Sequence, residues 1–204
     1  MNRLLFVCGA NVCRSPYLAY LLEQSIRSGK VEGEWLVQSR GVWAAPGARL
    51  CPLVSRRIES LPFGSQFATA HRSRSFDADV ALDFDMILTA STAERSAIAK
   101  LCPQARPWTF TALEASLLSE ADATGARSVA NPDVSRLRSH ALELHSRRGR
   151  LEGPGGMMRT GASSQLALDI ADGHVQSGWR HRRALRDIVE VMARLSTQLA
   201  RCNV

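Results

Sequence analysis

Cys8 and Arg14 stand six positions apart, with Gly9, Ala10, Asn11, Val12 and Cys13 between them and Ser15-Pro16 directly after. A thiolate next to a guanidinium can do one kind of work well. The sulfur attacks a phosphorus atom, and the planar guanidinium forks two of the phosphate oxygens. Backbone N–H groups of a tight loop at a helix start would hold the remaining oxygens. Gly9 through Ser15 is therefore read as a phosphate-binding loop. The same field favours thiolate over thiol, and the Ser15 hydroxyl is in reach to hydrogen-bond the Cys8 sulfur.

The flanking elements must deliver that geometry. Leu4 to Val7 is a short apolar run that reads as a buried strand ending at Cys8. Gly9 and Asn11 are residues that tolerate unusual backbone angles. Ser15 reads as an N-cap, with Pro16 at the first helical position and Leu18, Leu21, Leu22 and Ile26 as an apolar stripe after it. A lone cysteine and arginine at this spacing is a weak signal. Between a strand and a helix start it is a specific one.

On these residues, Val7-Cys8-x-x-Asn11-x-Cys13-Arg14-Ser15-Pro16, the chain resembles the low-molecular-weight protein tyrosine phosphatases. That family also carries its phosphate loop at the N-terminus. Alanine at position 10 departs from the family's usual glycine. The resemblance implies hydrolysis of phosphotyrosine in a protein substrate, through a phosphocysteine intermediate, with no cofactor and no metal. It implies a supporting role for Ser39, within Ser39-Arg40-Gly41, and a structural role for His71. It also implies that Cys8 and Cys13 can form a reversible disulfide; the alternative is that Cys13 packs under the loop. Arsenate reductases share the fold and loop but typically carry glutamine where Pro16 stands. A relative that binds phosphate or phosphotyrosine without turnover is the reading from a third class.

The reaction needs a carboxyl to protonate the leaving oxygen and then to activate water. In the family this acid lies in an Asp-Pro segment before the last helix. Asp172 is the match, with Gly173 where the proline usually stands and His174 in place of an aromatic. Asp169 and Asp133 are the fallback acids. In the family an aromatic walls the cleft; the matching position is Ala45, so Trp43 does that work instead or else packs as core or rim.

Along the rest of the chain, residues 33–39, 85–90 and 108–110 read as strands. Residues 52–61, 78–83 and 92–101 read as helices, another opens at Thr111, and a long one ends the chain. In that last helix Val175 or Trp179, then Leu185, Ile188, Val189, Met192, Leu195 and Leu199 form the expected apolar face. Strands alternating with helices predict an α/β fold: a flavodoxin-like four-stranded parallel sheet, order 2-1-3-4, with helices on both faces. Residues 1–204 read as one domain with an insertion at 119–166. That stretch contains a helix starting near Asn131-Pro132-Asp133 and a turn-rich run, and it is read as a solvated decoration.

With 204 residues, 45% hydrophobic and 22% charged, the composition is that of an ordinary globular protein. Its five cysteines fall at irregular spacing, which fits neither a disulfide framework nor a zinc motif. The net charge of +7 is carried by scattered arginines, Lys30 and Lys100 being the only lysines. No aromatic-interleaved basic run accompanies them, so nucleic acid is not expected as a partner. No apolar run reaches the ~20 residues of a membrane span. The cytoplasm is the expected compartment, because a cleaved leader would remove the catalytic strand.

Overall fold

The computed structural model describes residues 1–120, 134–148, 168–173 and 178–201. Four strands form one parallel sheet in the order β2-β1-β3-β4. They are β1 (Asn2–Cys8), β2 (Trp35–Gly41), β3 (Met86–Thr89) and β4 (Thr109–Thr111). The helices are α1 (Arg14–Arg27), α2 (Pro52–Glu59), α3 (Gly64–Ala70), α4 (Ala78–Asp83), α5 (Thr92–Leu101), α6 (Ala112–Glu120), α7 (Arg136–Ser146) and α8 (Gly178–Arg201). A 3-10 segment at Pro103–Trp108 leads into β4. The flavodoxin-like order expected from the sequence is the observed one.

β1 is apolar throughout because both of its faces are covered. Leu4 and Phe6, with Met86 and Leu88 of β3, face a core built with α1, α2, α6, α7 and α8. Leu5 and Val7, with Ile87, face a second core built with α4 and α5. The register Cys8↔Gly41 and Val7↔Thr89 puts the ends of β1, β2 and β3 at one edge of the sheet. That edge is the strand-order switch point, where ligands of such sheets bind.

Several local readings change. The helix expected over 52–61 ends at Glu59, and α3 follows from Gly64. Phe63 takes a left-handed φ of 58°, and a Cβ at Gly64 would lie 1.7 Å from the Ile58 carbonyl oxygen. On α8 the inward face is His181, Ala184, Leu185, Ile188, Val191, Met192, Leu195 and Leu199. Trp179 and Val189, expected on that face, are 60% and 37% exposed. Within the expected insertion, α7 is packed rather than solvated. Leu137, Ala141 and Leu144 are buried, and the Arg138 guanidinium lies 3.5 Å over the Trp108 ring. Asn131-Pro132-Asp133, the whole turn-rich run and His174 lie outside the described residues. Among the described residues, no helix is long and apolar enough to cross a membrane.

Candidate active site

Cys8 is the last residue of β1, and its sulfur accepts two hydrogen bonds. Ser15 Oγ donates from 3.1 Å and the Asn11 backbone N–H from 3.3 Å. Two donors thus converge on one sulfur. The expected N-cap role of Ser15 is not what its hydroxyl does. Helix α1 begins one residue earlier, at Arg14, and the Ser15 side chain turns back to Cys8 and to the Arg40 carbonyl at 3.2 Å.

Asn11 holds the loop together. It takes the left-handed conformation, φ 55°, which asparagine tolerates better than most residues. Gly9 has no positive φ, and a Cβ there would make ordinary contact with the Trp43 ring at 3.4 Å. The Asn11 amide donates to Ser15 Oγ at 3.0 Å and to Ser39 Oγ at 2.9 Å, while its Oδ1 accepts from the Arg74 N–H at 2.8 Å. His71 Nε2 meets the Asn11 carbonyl at 2.8 Å. Burial lowers the His71 pKa, partly opposed by that backbone contact.

Neighbouring backbone completes the cradle. The Val42 and Trp43 N–H groups donate to the carbonyls of Cys8 and Gly9, and the Cys51 N–H donates to the Val12 carbonyl. Gly41 must lack a side chain, since a Cβ there would sit 2.6 Å from the Gly9 carbonyl oxygen. Trp43 stands at the rim, 62% exposed, beside Gly9.

Arg14 opens α1 and is almost fully buried. Its Nη2 lies 2.6 Å from Asp172 Oδ2 and 3.1 Å from Glu94 Oε1, and its Nη1 donates to the Ile170 carbonyl at 3.3 Å. The Asp172 side chain is 43% exposed, whereas Glu94 is 2% exposed. The other Glu94 oxygen accepts from Ser91 Oγ.

The segment carrying Asp172 is docked rather than loose. The Ile170 N–H donates to the Ala90 carbonyl at 2.8 Å. The Asp169 carboxylate accepts from the Thr92 N–H at 2.8 Å and from its hydroxyl at 3.3 Å, at the start of α5. Asp169 is thereby engaged at a helix N-terminus. Gly173 packs against α8, where a Cβ would meet His181 Cα at 2.3 Å. This contact explains why no larger residue stands after Asp172.

Cys8, Arg14, Asp172, Asn11, Ser15 and Ser39 are thus brought to one edge. Glu94 was missed by the sequence reading. Ser91-x-x-Glu94 at a helix start reads as an N-terminal capping pattern, and nothing local shows that the carboxylate turns inward to Arg14. Cys13 is surrounded by Cys51 and His181, and it is a free thiol, as Cys8 is. The hydrogen bond with Cys51 and burial push the Cys13 thiol far up.

A family description, low molecular weight phosphotyrosine protein phosphatase, matches residues 3–122. The match spans Cys8, Arg14 and Glu94 and ends before Asp172. A protein-arginine-phosphatase of Geobacillus stearothermophilus is 33% identical over 109 residues, covering 53% of this chain and 68% of that protein. The solved YwlE arginine phosphatase of the same organism has a TM-score of 0.60 at 22% identity, over 98% of this chain and 93% of that one. A low molecular weight protein tyrosine phosphatase from Bacillus subtilis has a TM-score of 0.60 at 20% identity, over 98% and 97%. The structural likenesses speak for the fold. The match over residues 3–122, with the 33% identical relative, puts the chain in the low molecular weight phosphotyrosine protein phosphatase family, as a cysteine-based phosphatase.

Proposed function

We propose that the protein hydrolyses phosphotyrosine in protein substrates by two steps at Cys8. In the first, the Cys8 thiolate attacks phosphorus. The S–P bond forms, the P–O bond breaks, and Asp172 gives its proton to the leaving tyrosyl oxygen. Arg14 and the amides of residues 9–15 stabilise the equatorial oxygens as charge builds on them. In the second step, Asp172 takes a proton from water as the water attacks phosphorus. The S–P bond breaks, releasing phosphate and the thiolate. The Ser15 and Asn11 donors ease that departure. The observation that carries this reading is the pair of donors on the Cys8 sulfur, in one strand–loop–helix unit with a buried Arg14.

The test is hydrolysis of para-nitrophenyl phosphate against pH, without added metal, for wild type, Cys8→Ser and Asp172→Asn. Metal-independent turnover that disappears in Cys8→Ser supports the reading. Full activity in Cys8→Ser overturns it.

A second reading is hydrolysis of phosphoarginine, favoured by the relative described as a protein-arginine-phosphatase. Both substrates offer a planar group that could lie against the exposed Trp43 face beside Gly9. The kcat/KM ratio on matched phosphotyrosine and phosphoarginine peptides discriminates them. A preference of more than about tenfold, ~1.4 kcal/mol in transition-state binding, decides the substrate.

A further inference from the structure

Three donor atoms that the reaction does not use converge under the phosphate loop. Cys13 immediately precedes α1, Cys51 immediately precedes α2, and His181 lies in the first turn of α8. All three are buried, at 5%, 4% and 8% exposure. His181 Nε2 is 3.0 Å from Cys13 Sγ and 3.7 Å from Cys51 Sγ. The three donor atoms lie within 4.8 Å of one another. Around a tetrahedral Zn2+, with Zn–S of about 2.3 Å and Zn–N of about 2.0–2.1 Å, donors stand roughly 3.5–3.8 Å apart. The cluster needs to expand by only a few tenths of an ångström on its short side. Two sulfurs and an imidazole select a soft or borderline cation, not Mg2+ or Ca2+.

We propose that Cys13, Cys51 and His181 form a binding site for a thiophilic cation of the Zn2+ class, separate from the reacting atoms. Binding replaces two thiol protons by the ion, and both protons go to solvent. The resulting site, with two thiolates, a neutral imidazole and Zn2+, carries no net charge, which suits its burial. Water takes the fourth position. The ion ties together the starts of α1, α2 and α8. Because His181 Cα packs on Gly173, it also fixes the segment that carries Asp172 relative to the phosphate loop. The site is thus a staple for the catalytic geometry rather than a source of Lewis acidity. It differs from the expectation of no metal drawn from cysteine spacing.

The experiment uses the full chain, reduced and stripped with a chelator. Zn2+ is titrated by calorimetry, and Co2+ by absorption as a spectroscopic stand-in. The expected result is one ion per chain, with cobalt–thiolate charge-transfer bands and the visible bands of tetrahedral cobalt. Binding persists in Cys8→Ser. It weakens in Cys51→Ala and in His181→Gln by more than the roughly 10–100-fold that even an outer-shell change costs. Phosphatase activity of metal-free Cys51→Ala and His181→Gln, and vanadate binding by Cys8→Ser, report that the variants are folded. Absence of charge-transfer bands in the wild type overturns the proposal, and needs no variant to do so. Loss of binding in Cys8→Ser with full binding in Cys51→Ala also overturns it, by placing the ion on the catalytic thiolate.

Discussion

Glu94 Oε1 lies 3.1 Å from Arg14 Nη2, and both side chains are almost completely buried, at 2% and 6% exposure. The guanidinium is therefore held by a carboxylate that is itself shut off from solvent. This pair aims Arg14, while the more exposed Asp172 touches the same nitrogen from the cleft side. Removing one member of a buried pair leaves the other as an uncompensated charge, which costs about 3–5 kcal/mol. Asp172 still pairs with Arg14 in Glu94→Ala, so the expected loss by urea denaturation is less than that. Glu94→Gln keeps the shape, and its expected signature is weaker vanadate binding with a larger loss in kcat/KM than in stability.

Cys8→Ser is expected to abolish turnover while phosphate or vanadate still binds. The loop amides and Arg14 remain, but the nucleophile does not. Calorimetric titration with vanadate checks the second half, and a failed hydrolysis assay the first.

Asp172→Asn is expected to lower kcat by about 10²–10⁴-fold, the usual contribution of a positioned acid–base group. The loss should shrink for aryl phosphates with good leaving groups, since these depart without a proton. A flat leaving-group dependence in wild type and variant alike would remove Asp172 from the role. Asp169→Ala should instead act on the docking of its segment, through the Thr92 contact. Its expected cost is a few tenths to about 2 kcal/mol of helix N-terminal stabilisation.

Ser15→Ala removes a donor 3.1 Å from the Cys8 sulfur. A hydrogen bond to a charged group contributes about 1.5–3 kcal/mol, so the rate should fall about tenfold to a hundredfold. The thiolate is the leaving group of the second step, so phosphocysteine should accumulate. Rapid-quench kinetics with a pre-steady-state burst would reveal it.

Burial holds the His71 pKa below its ordinary value of 6.5. The unfolded chain therefore takes up a proton at higher pH than the folded one does. Stability from this group is fully present above about pH 6.5 and is lost as pH falls through the lower folded value. His71→Gln is expected to flatten the acid side of the stability curve, measured by urea midpoints from pH 7.5 to 5. An unchanged slope would show that His71 does not titrate in that window.

Residues close in sequence carried most of what could be read without coordinates. The apolar run Leu4–Val7, the spacing from Cys8 to Arg14 and the helix after it are local, so chain order alone places a thiol and a guanidinium around one loop. Period and strand–helix alternation then led to the sheet order, because parallel crossovers leave few alternatives. The contacts that finish the site are long-range. Arg14 meets Asp172 across 158 positions and Glu94 across 80, and Cys13 meets His181 across 168. Which carboxylate reaches Arg14, and that Ser15 bonds sulfur instead of capping a helix, depends on how α5, α8 and the segment before α8 pack on the sheet. Helical spacing marks an apolar stripe but does not say where it is centred, so Trp179 and Val189 were assigned to the core side while His181 was overlooked. Chain order thus placed Cys8, Arg14 and the loop between them. The tertiary structure decided the partners of Arg14 and gathered Cys13, Cys51 and His181, since only packing brings such distant side chains within bonding distance.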